Sequence, residues 1–305
     1  MQGMTTMRVR VLGLLSAGLL GAGLLAAPAL AAGETPTPPH QKWTFAGPFG
    51  AFDKGQLQRG FQVYREVCAN CHSMSLIAFR NLAEEGGPGF SRPQVQALAA
   101  EYKVQDGPND AGDMFERPGR PADRIPKPFP NENAAAAANG GKAPPDLSVM
   151  AKARTYERGF PWFIIDPMPF VGYGEQGPDY VTAVLNGYEE APKDVTVPDG
   201  GHYNKYYPGG IIAMPKPLSD GQVSYAKGGD GKPVVPETVE QYSKDVTAFL
   251  MWAAEPHMEA RKRLGLRVLL FLAVFAGLLY YVKKRVWASV GGEVHGMQPE
   301  LHKAG

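Results

Sequence analysis

Apolar residues recur at helical spacing in several stretches of this chain, and polar segments rich in glycine and proline separate them. The pattern predicts helices over residues 54–67, 91–102, 179–185 and 237–254, with a short helix at 134–138. Long loops are predicted between them, as in 104–146 and 188–232. The pattern therefore favours a mostly α-helical, loop-rich fold.

A charge-free apolar run occupies residues 11–25 near the start of the chain. Arg8 and Arg10 precede it, and Ala29 and Ala31 follow in an A-x-A arrangement. This order is typical of an export signal that is cleaved. We therefore expect residues 1–31 to be a signal peptide, the alternative being an uncleaved N-terminal anchor.

A second apolar run, residues 264–282, lies near the end of the chain and is flanked on both sides by basic residues. Nineteen residues of helix span roughly 28 Å, enough for the hydrocarbon core of a bilayer. A buried core helix is disfavoured by this length and flanking charge. With the export signal, the run predicts a domain outside the cytoplasm (32–260), one transmembrane anchor (261–287) and a cytoplasmic tail (288–305).

The formal net charge of +1 excludes a strongly basic nucleic-acid-binding protein. This total is the sum of three segments with different net charges: the leader carries +2, the region from Arg261 onward +6, and the predicted exported domain −7. Glycine (37) and proline (28) make up about a fifth of the chain, which is high for a well-ordered domain built from regular elements alone. The acidic domain favours a basic partner.

The two cysteines of the chain lie together in Cys68-Ala-Asn-Cys71-His72. C-x-x-C-H is the attachment signal of a c-type haem, in which the thiols bind the macrocycle and the histidine binds the iron. The histidine's other ring nitrogen is expected to donate to a carbonyl, and the preceding amphipathic segment predicts that the motif follows a helix. We therefore expect one covalently attached haem c.

Two other kinds of site use a C-x-x-C motif. A thioredoxin-like redox pair would need a βαβ context and has no use for His72. A structural zinc site would need two more ligands at matching spacing, and no further cysteine exists. Both are disfavoured relative to haem.

The second axial ligand of the iron is left open by the residues alone. A methionine would suit electron transfer, whereas an empty position would suit ligand binding or peroxide chemistry. Met74 is too close to His72 to reach the opposite face. The remaining candidates are Met114, Met150, Met168, Met214, Met251, Met258 and His202. Adjacent prolines single out Met168 and Met214, because proline stiffens a ligand-bearing loop.

Short motifs in a fixed order resemble the cytochrome c1 family over residues 49–287. They are RGFQVY at 59–64, VC at 67–68, CHSM at 71–74, FR at 79–80, ANGG at 138–141, PPDLS at 144–148, DYV at 179–181, NGY at 186–188, YPG at 207–209, AMP at 213–215, AAEP at 253–256 and RKR at 261–263. The resemblance implies Met214, not Met168, as the iron ligand opposite His72. It also implies Arg154 near a haem propionate, Tyr180 and Asn139 in the pocket, and Pro144 and Pro145 as a rigid wall against the ring.

The resemblance implies the function and partners as well. It points to the membrane-anchored haem subunit of the ubiquinol–cytochrome c oxidoreductase, the cytochrome bc1 complex, in a bacterial inner membrane with the haem domain in the periplasm. Expected partners are cytochrome b, a Rieske iron–sulfur protein as electron donor, a soluble basic cytochrome c as acceptor, membrane lipid and a second copy in a dimeric complex. An insertion at 156–178 has no assigned role. Rival functions are a tethered peroxidase with an open haem site and a donor to another respiratory enzyme.

Overall fold

Helices form most of the regular structure, and long loops connect them. The computed structural model describes residues 35–156, 175–229 and 231–288. The predicted signal peptide, Met168 with most of the predicted insertion, and the tail from residue 289 lie outside the described residues.

The described helices are α1 (Lys54–Glu66), α2 (Arg92–Ala100), α3 (Glu132–Ala138), α4 (Met150–Ala153), α5 (Gln176–Asn186), α6 (Val239–Ala254) and α7 (Met258–Val286). The strands are β1 (Lys103–Asp106), β2 (Phe115–Pro118), β3 (His202–Tyr203) and β4 (Ile211–Ile212). Two 3-10 turns span Cys68–Asn70 and Phe79–Ala83. The mostly α-helical, loop-rich fold with one C-terminal apolar helix is confirmed.

The helices predicted from the apolar pattern are confirmed, and polar caps set where they begin. Asp53 caps α1 by accepting from the backbone N of Gln56 at 2.6 Å, and Ser91 caps α2. Helix α5 begins at Gln176 rather than at the predicted 179. The earlier start is possible because Pro178 lies in the first turn, where a backbone N–H has no partner within the helix.

The core forms where α1 crosses α6. Phe61 and Tyr64 of α1 pack against Phe249 of α6, with ring centroids 5.5 and 5.9 Å apart. Gly60 allows the close approach, because a Cβ built there would lie 2.0 Å from the carbonyl oxygen of Asp245. This crossing fixes α1, and therefore the start of the C-x-x-C-H motif that follows it.

The predicted long loops contain two short hairpins that the apolar pattern did not indicate. Strands β1 and β2 pair antiparallel, as do β3 and β4. Each strand has only two to four residues, too few to show the alternating apolar pattern of a half-buried strand. Ion pairs of Arg117 with Asp106 and Asp123 hold the first hairpin against the following loop.

Helix α7 is the one described helix long and apolar enough to cross a membrane. It begins at Met258, six residues before the predicted apolar run, because its first turns are tied to the rest of the chain. Nζ of Lys262 donates to the carbonyl oxygens of Phe45 (2.6 Å) and Gly50 (3.3 Å), and Arg263 pairs with Glu85 (3.1 Å). From Leu264 onward its apolar side chains are exposed.

Candidate functional site

The C-x-x-C-H motif lies directly after α1, as predicted. Helix α1 ends at Glu66, and a 3-10 turn follows over Cys68–Asn70. The backbone N of Cys71 donates to the carbonyl of Cys68 (3.1 Å), and so does that of His72 (2.8 Å). Both cysteines are free thiols in this arrangement, so both remain available for thioether bonds to a macrocycle.

The ring of His72 is oriented by one hydrogen bond. Its Nδ1 lies 2.8 Å from the carbonyl oxygen of Pro145. Because a carbonyl can only accept, Nδ1 carries the proton and Nε2 keeps its lone pair, which is the tautomer that binds a metal through Nε2. Burial lowers the pKa of His72, although the Pro145 contact opposes this shift, so the neutral ring is favoured. The expected carbonyl partner is confirmed.

Residues 144–148 form a clamp, the PPDLS clamp, across the segment that follows His72. Asp146 accepts from Ser73 Oγ (2.8 Å) and the backbone N of Ser75 (2.9 Å) through Oδ2, and from the backbone N of Ser148 (2.8 Å) through Oδ1. Burial alone would raise the pKa of Asp146, but the hydrogen bonds from Ser148 and Ser75 outweigh it and lower the pKa. The clamp therefore places the Pro145 carbonyl against His72.

We expect Asp146→Asn to reduce the free energy of unfolding by about 1 to 3 kcal/mol at neutral pH, because an amide NH₂ would face the N–H of Ser75. The native pKa of Asp146 is lowered, so its contribution is present above the ordinary value of 3.8 and is lost as the pH falls below it. Urea unfolding of wild type and variant should therefore differ most at neutral pH and converge in acid. The exposed Asp110→Asn is the matched control, and an equal loss there would contradict the clamp.

Met214 follows strand β4 by two residues. Its side chain is half-buried and packs against a small cluster of Tyr180, Val184 and Ile212. The hydroxyl of Tyr188 donates to the Met214 carbonyl oxygen at 3.0 Å. These contacts give the rigid setting that an axial ligand needs, and its assignment as ligand stays a prediction.

The other predicted pocket residues have different surroundings. Tyr180 is 9% exposed in α5, and burial raises its pKa. Asn139 uses its amide to cap α3, donating to the Ala135 carbonyl at 2.7 Å. Pro144 is half-buried and Pro145 exposed beside His72. The structure therefore brings Pro145 to His72, and the pocket roles of Arg154, Tyr180, Asn139 and Pro144 stay predictions.

The two alternative uses of the cysteines find no support in the described residues. Burial raises the pKa of the Cys68 thiol to about 12, whereas reactive redox cysteines have lowered values. Across residues 35–156, 175–229 and 231–288, no three His, Cys, Asp or Glu side chains form a group that could hold a metal ion. The motif fits covalent haem attachment with His72 as iron ligand.

Sequence reasoning missed the roles of two aspartates. Asp146 lies in the PPDLS motif, and its Oδ1 accepts from the backbone N of Ser148, two residues on. Aspartate commonly forms such an Asx turn, so a local signal for this role was present in the sequence. Asp179, 0% exposed in α5, accepts from Trp43 Nε1 (2.7 Å), His40 Nδ1 (2.9 Å) and the backbone N of Gln41 (3.1 Å). Its partners lie about 140 residues away, so no local pattern predicts them.

Comparison with known proteins gives a consistent result. A model described as the Cytochrome C1 family matches residues 43–290. Cytochrome b/c1 of Bradyrhizobium diazoefficiens is 68% identical over 82% of this chain and 36% of its own length, so this chain spans about a third of that relative. Cytochrome c1 of Blastochloris viridis is 52% identical over 83% of this chain and 88% of its own length. Cytochrome c1 of Rhodospirillum rubrum is 43% identical over 82% of this chain and 87% of its own length.

Proposed function

This chain belongs to the cytochrome c1 family, and from that premise we propose that it is the electron-transfer subunit of the quinol-oxidising cytochrome bc1 complex. The observation that carries the proposal is the C-x-x-C-H motif with His72 held by the Pro145 carbonyl, within a chain that matches the family from residue 43 to 290. Neither the relatives nor the described residues favour the peroxidase alternative.

One covalently bound haem c is the cofactor, and it supplies one-electron chemistry when bound. Cys68 and Cys71 would hold it by thioether bonds and His72 by its Nε2. The chain's own contribution is to fix the His72 tautomer through Pro145, to hold Pro145 through the PPDLS clamp, and to present Met214 from the Tyr188-bonded segment. Arg154, Tyr180, Asn139 and Pro144 complete the proposed pocket.

Among the described residues α7 is the one helix that could cross a membrane, which supports a single-pass anchor, and membership of the cytochrome c1 family supports assembly as a subunit of the bc1 complex. We place residues 32–260 in the periplasm, with residues 1–31 removed as a signal peptide and 288–305 in the cytoplasm. Electrons arrive from a Rieske iron–sulfur protein and leave to a soluble basic cytochrome c. Cytochrome b is the partner within the membrane, and the complex is dimeric.

Isolation of the tagged protein from detergent-solubilised membranes tests this function. We expect a reduced c-type haem spectrum, co-purification of a b-type cytochrome and an iron–sulfur protein, and quinol–cytochrome c reductase activity. Purification of the haem protein alone, with electron donation to another respiratory enzyme intact, would contradict the proposal. Stoichiometric carbon monoxide binding to the reduced protein would instead support the open-site alternative.

Acidic side chains at 189–194 are proposed to contribute to docking of the basic acceptor. Glu189 pairs with Lys205 at 3.1 Å, whereas the exposed Glu190 and Asp194 form no ion pair with any described residue. We expect neutralising Glu189, Glu190 and Asp194 together to raise KM for a basic cytochrome c severalfold at low ionic strength and to weaken its salt dependence. Steady-state kinetics across a salt series provide the measurement.

The matched control for the docking surface is Glu132→Gln, an exposed carboxylate in the first turn of α3, outside the acidic segment. We expect its KM and salt dependence to stay at the wild-type values. Salt-independent rates in the wild-type complex would rule this surface out.

A further inference from the structure

Residues 43–52 form a loop whose base is buried and whose tip is exposed. Trp43, Phe45 and Phe52 form a buried aromatic ladder, with successive ring centroids 5.1 Å apart. Phe49 at the tip is 74% exposed, more than any other large apolar side chain in the described residues. The loop is therefore rigidly held at its base while it presents an apolar aromatic ring to its surroundings.

The loop backbone is fixed at the tip as well. Backbone hydrogen bonds close the turn from Ala46 to Trp43 (3.2 Å), from Gly50 to Gly47 (3.4 Å) and from Ala51 to Thr44 (3.0 Å). Gly50 cannot carry a side chain there, because a Cβ would lie 2.1 Å from the carbonyl oxygen of Ala46. The exposure of Phe49 is thus built into the loop.

The same loop is attached to the first turns of α7. Nζ of Lys262 donates to the carbonyls of Phe45 and Gly50, and Oε1 of Glu259 accepts from the backbone N of Phe52 (2.9 Å). These bonds join the loop at three points to the helix that crosses the membrane. The loop and the start of the anchor therefore form one unit.

The charge pattern of α7 locates the edge of the bilayer near these bonds. Lys262 lies two residues, about 3 Å of helix rise, before Leu264, the first large exposed apolar residue of the helix. Arg261, Arg263 and Arg267 surround this point, and basic side chains at a helix end extend into the headgroup layer. The loop carrying Phe49 is consequently bonded to the part of α7 that lies in that layer.

We propose that Phe49 inserts into the headgroup layer of the phospholipid bilayer, as a second membrane contact beside α7. Aromatic rings are favoured at this depth, and the first turns of α7, to which the loop is bonded, carry basic side chains of the kind found in the headgroup layer. Two contacts hold the haem domain at a fixed tilt, which a single helix would leave free. The inference rests on α7 spanning the membrane, which is part of the proposed function.

Electron paramagnetic resonance tests the insertion on the full-length holoprotein in phospholipid nanodiscs. The native cysteines are consumed by thioether bonds, so Phe49→Cys offers one thiol for a nitroxide label. Met114→Cys is the control, since Met114 is 61% exposed and no hydrogen bond or ion pair joins its β1–β2 connection to α7 among the described residues. Leu272→Cys within α7 reports the membrane interior.

The measurement is the rate at which the nitroxide label collides with oxygen, which concentrates in lipid, and with a nickel complex, which stays in water. The ratio of the two collision rates, oxygen to nickel, rises with depth in the bilayer. We expect the oxygen-to-nickel ratio at position 49 to exceed that at 114 at least threefold and to be lower than that at 272. A ratio at 49 equal to that at 114 overturns the insertion while leaving the anchor intact. A water-like ratio at 272 overturns the anchor and the insertion together.

A photo-crosslinking residue at position 49 in native membranes separates lipid from protein as the partner. Adducts to lipid support the proposal. Crosslinking predominantly to another subunit of the complex, with little adduct to lipid, overturns it.

Discussion

In Gly60→Ala the free energy of unfolding is expected to fall by about 3 kcal/mol, because the added methyl group clashes with α6. Its Cβ would lie 2.0 Å from the carbonyl oxygen of Asp245 and 2.7 Å from Cβ of Phe249. Both atoms belong to, or lie next to, the backbone of α6, so no side-chain rotation relieves the clash. Helix α1 would have to move away from α6 and disturb the packing of Phe61, Tyr64 and Phe249.

Gly55→Ala in the same helix is the matched control. A Cβ there meets Oδ1 of Asp53 at 3.3 Å and Nη1 of Arg59 at 3.6 Å, so the added methyl needs a shift of only a few tenths of an ångström and meets no backbone atom. Alanine favours helix over glycine by up to about 1 kcal/mol, so this variant should be as stable as wild type or slightly more so. Urea unfolding, followed by circular dichroism, compares the two. Equal stability of both variants would contradict the helix spacing described for α1 and α6.

In Met214→Leu the reduction potential of the haem is expected to fall by a tenth of a volt or more, within the roughly 0.8 V that axial ligands control. A thioether raises the potential because it favours the ferrous state, and leucine offers no lone pair to the iron. The backbone of residue 214 is held by the hydroxyl of Tyr188, so the leucine should occupy the same position. Potentiometric titration measures the shift, and new carbon monoxide binding reports the opened site.

Met168→Leu is the control for this ligand, since Met168 is the other methionine flanked by prolines. Its potential should match that of the wild type. An unchanged potential in Met214→Leu would show that Met214 is not the ligand, and a fall in Met168→Leu would transfer the assignment to Met168. Retention of the wild-type far-ultraviolet circular dichroism in both variants separates a ligand effect from unfolding.

The features that could be predicted from the sequence depend on residues close together in the chain. The α1 helix follows from its apolar spacing and Asp53 cap, and the haem attachment follows from five consecutive residues, Cys68 to His72. The contacts that complete the site are distant. The Pro145 carbonyl that orients His72 lies 73 residues away, and the Asp179 cluster joins segments about 140 residues apart.

Two other features escaped sequence reasoning for different physical reasons. The β1–β2 and β3–β4 hairpins have strands of only two to four residues, too short to produce a recognisable periodic pattern in the sequence. The need for Gly60 arises only when α6 lies across α1, so nothing within the helix itself indicates it. In each case the missing information is the position of a second segment.

The bond between His72 and Pro145 also makes the orientation of the iron-binding histidine depend on folding. Cys68, Cys71 and His72 lie within five consecutive residues, so the signal for covalent attachment is contained in one short peptide. The carbonyl that selects the iron-binding tautomer belongs to a segment made 73 residues later. The attachment motif is therefore local, whereas the tautomer of His72 that suits iron ligation is set only when the chain has folded far enough to bring residue 145 to residue 72.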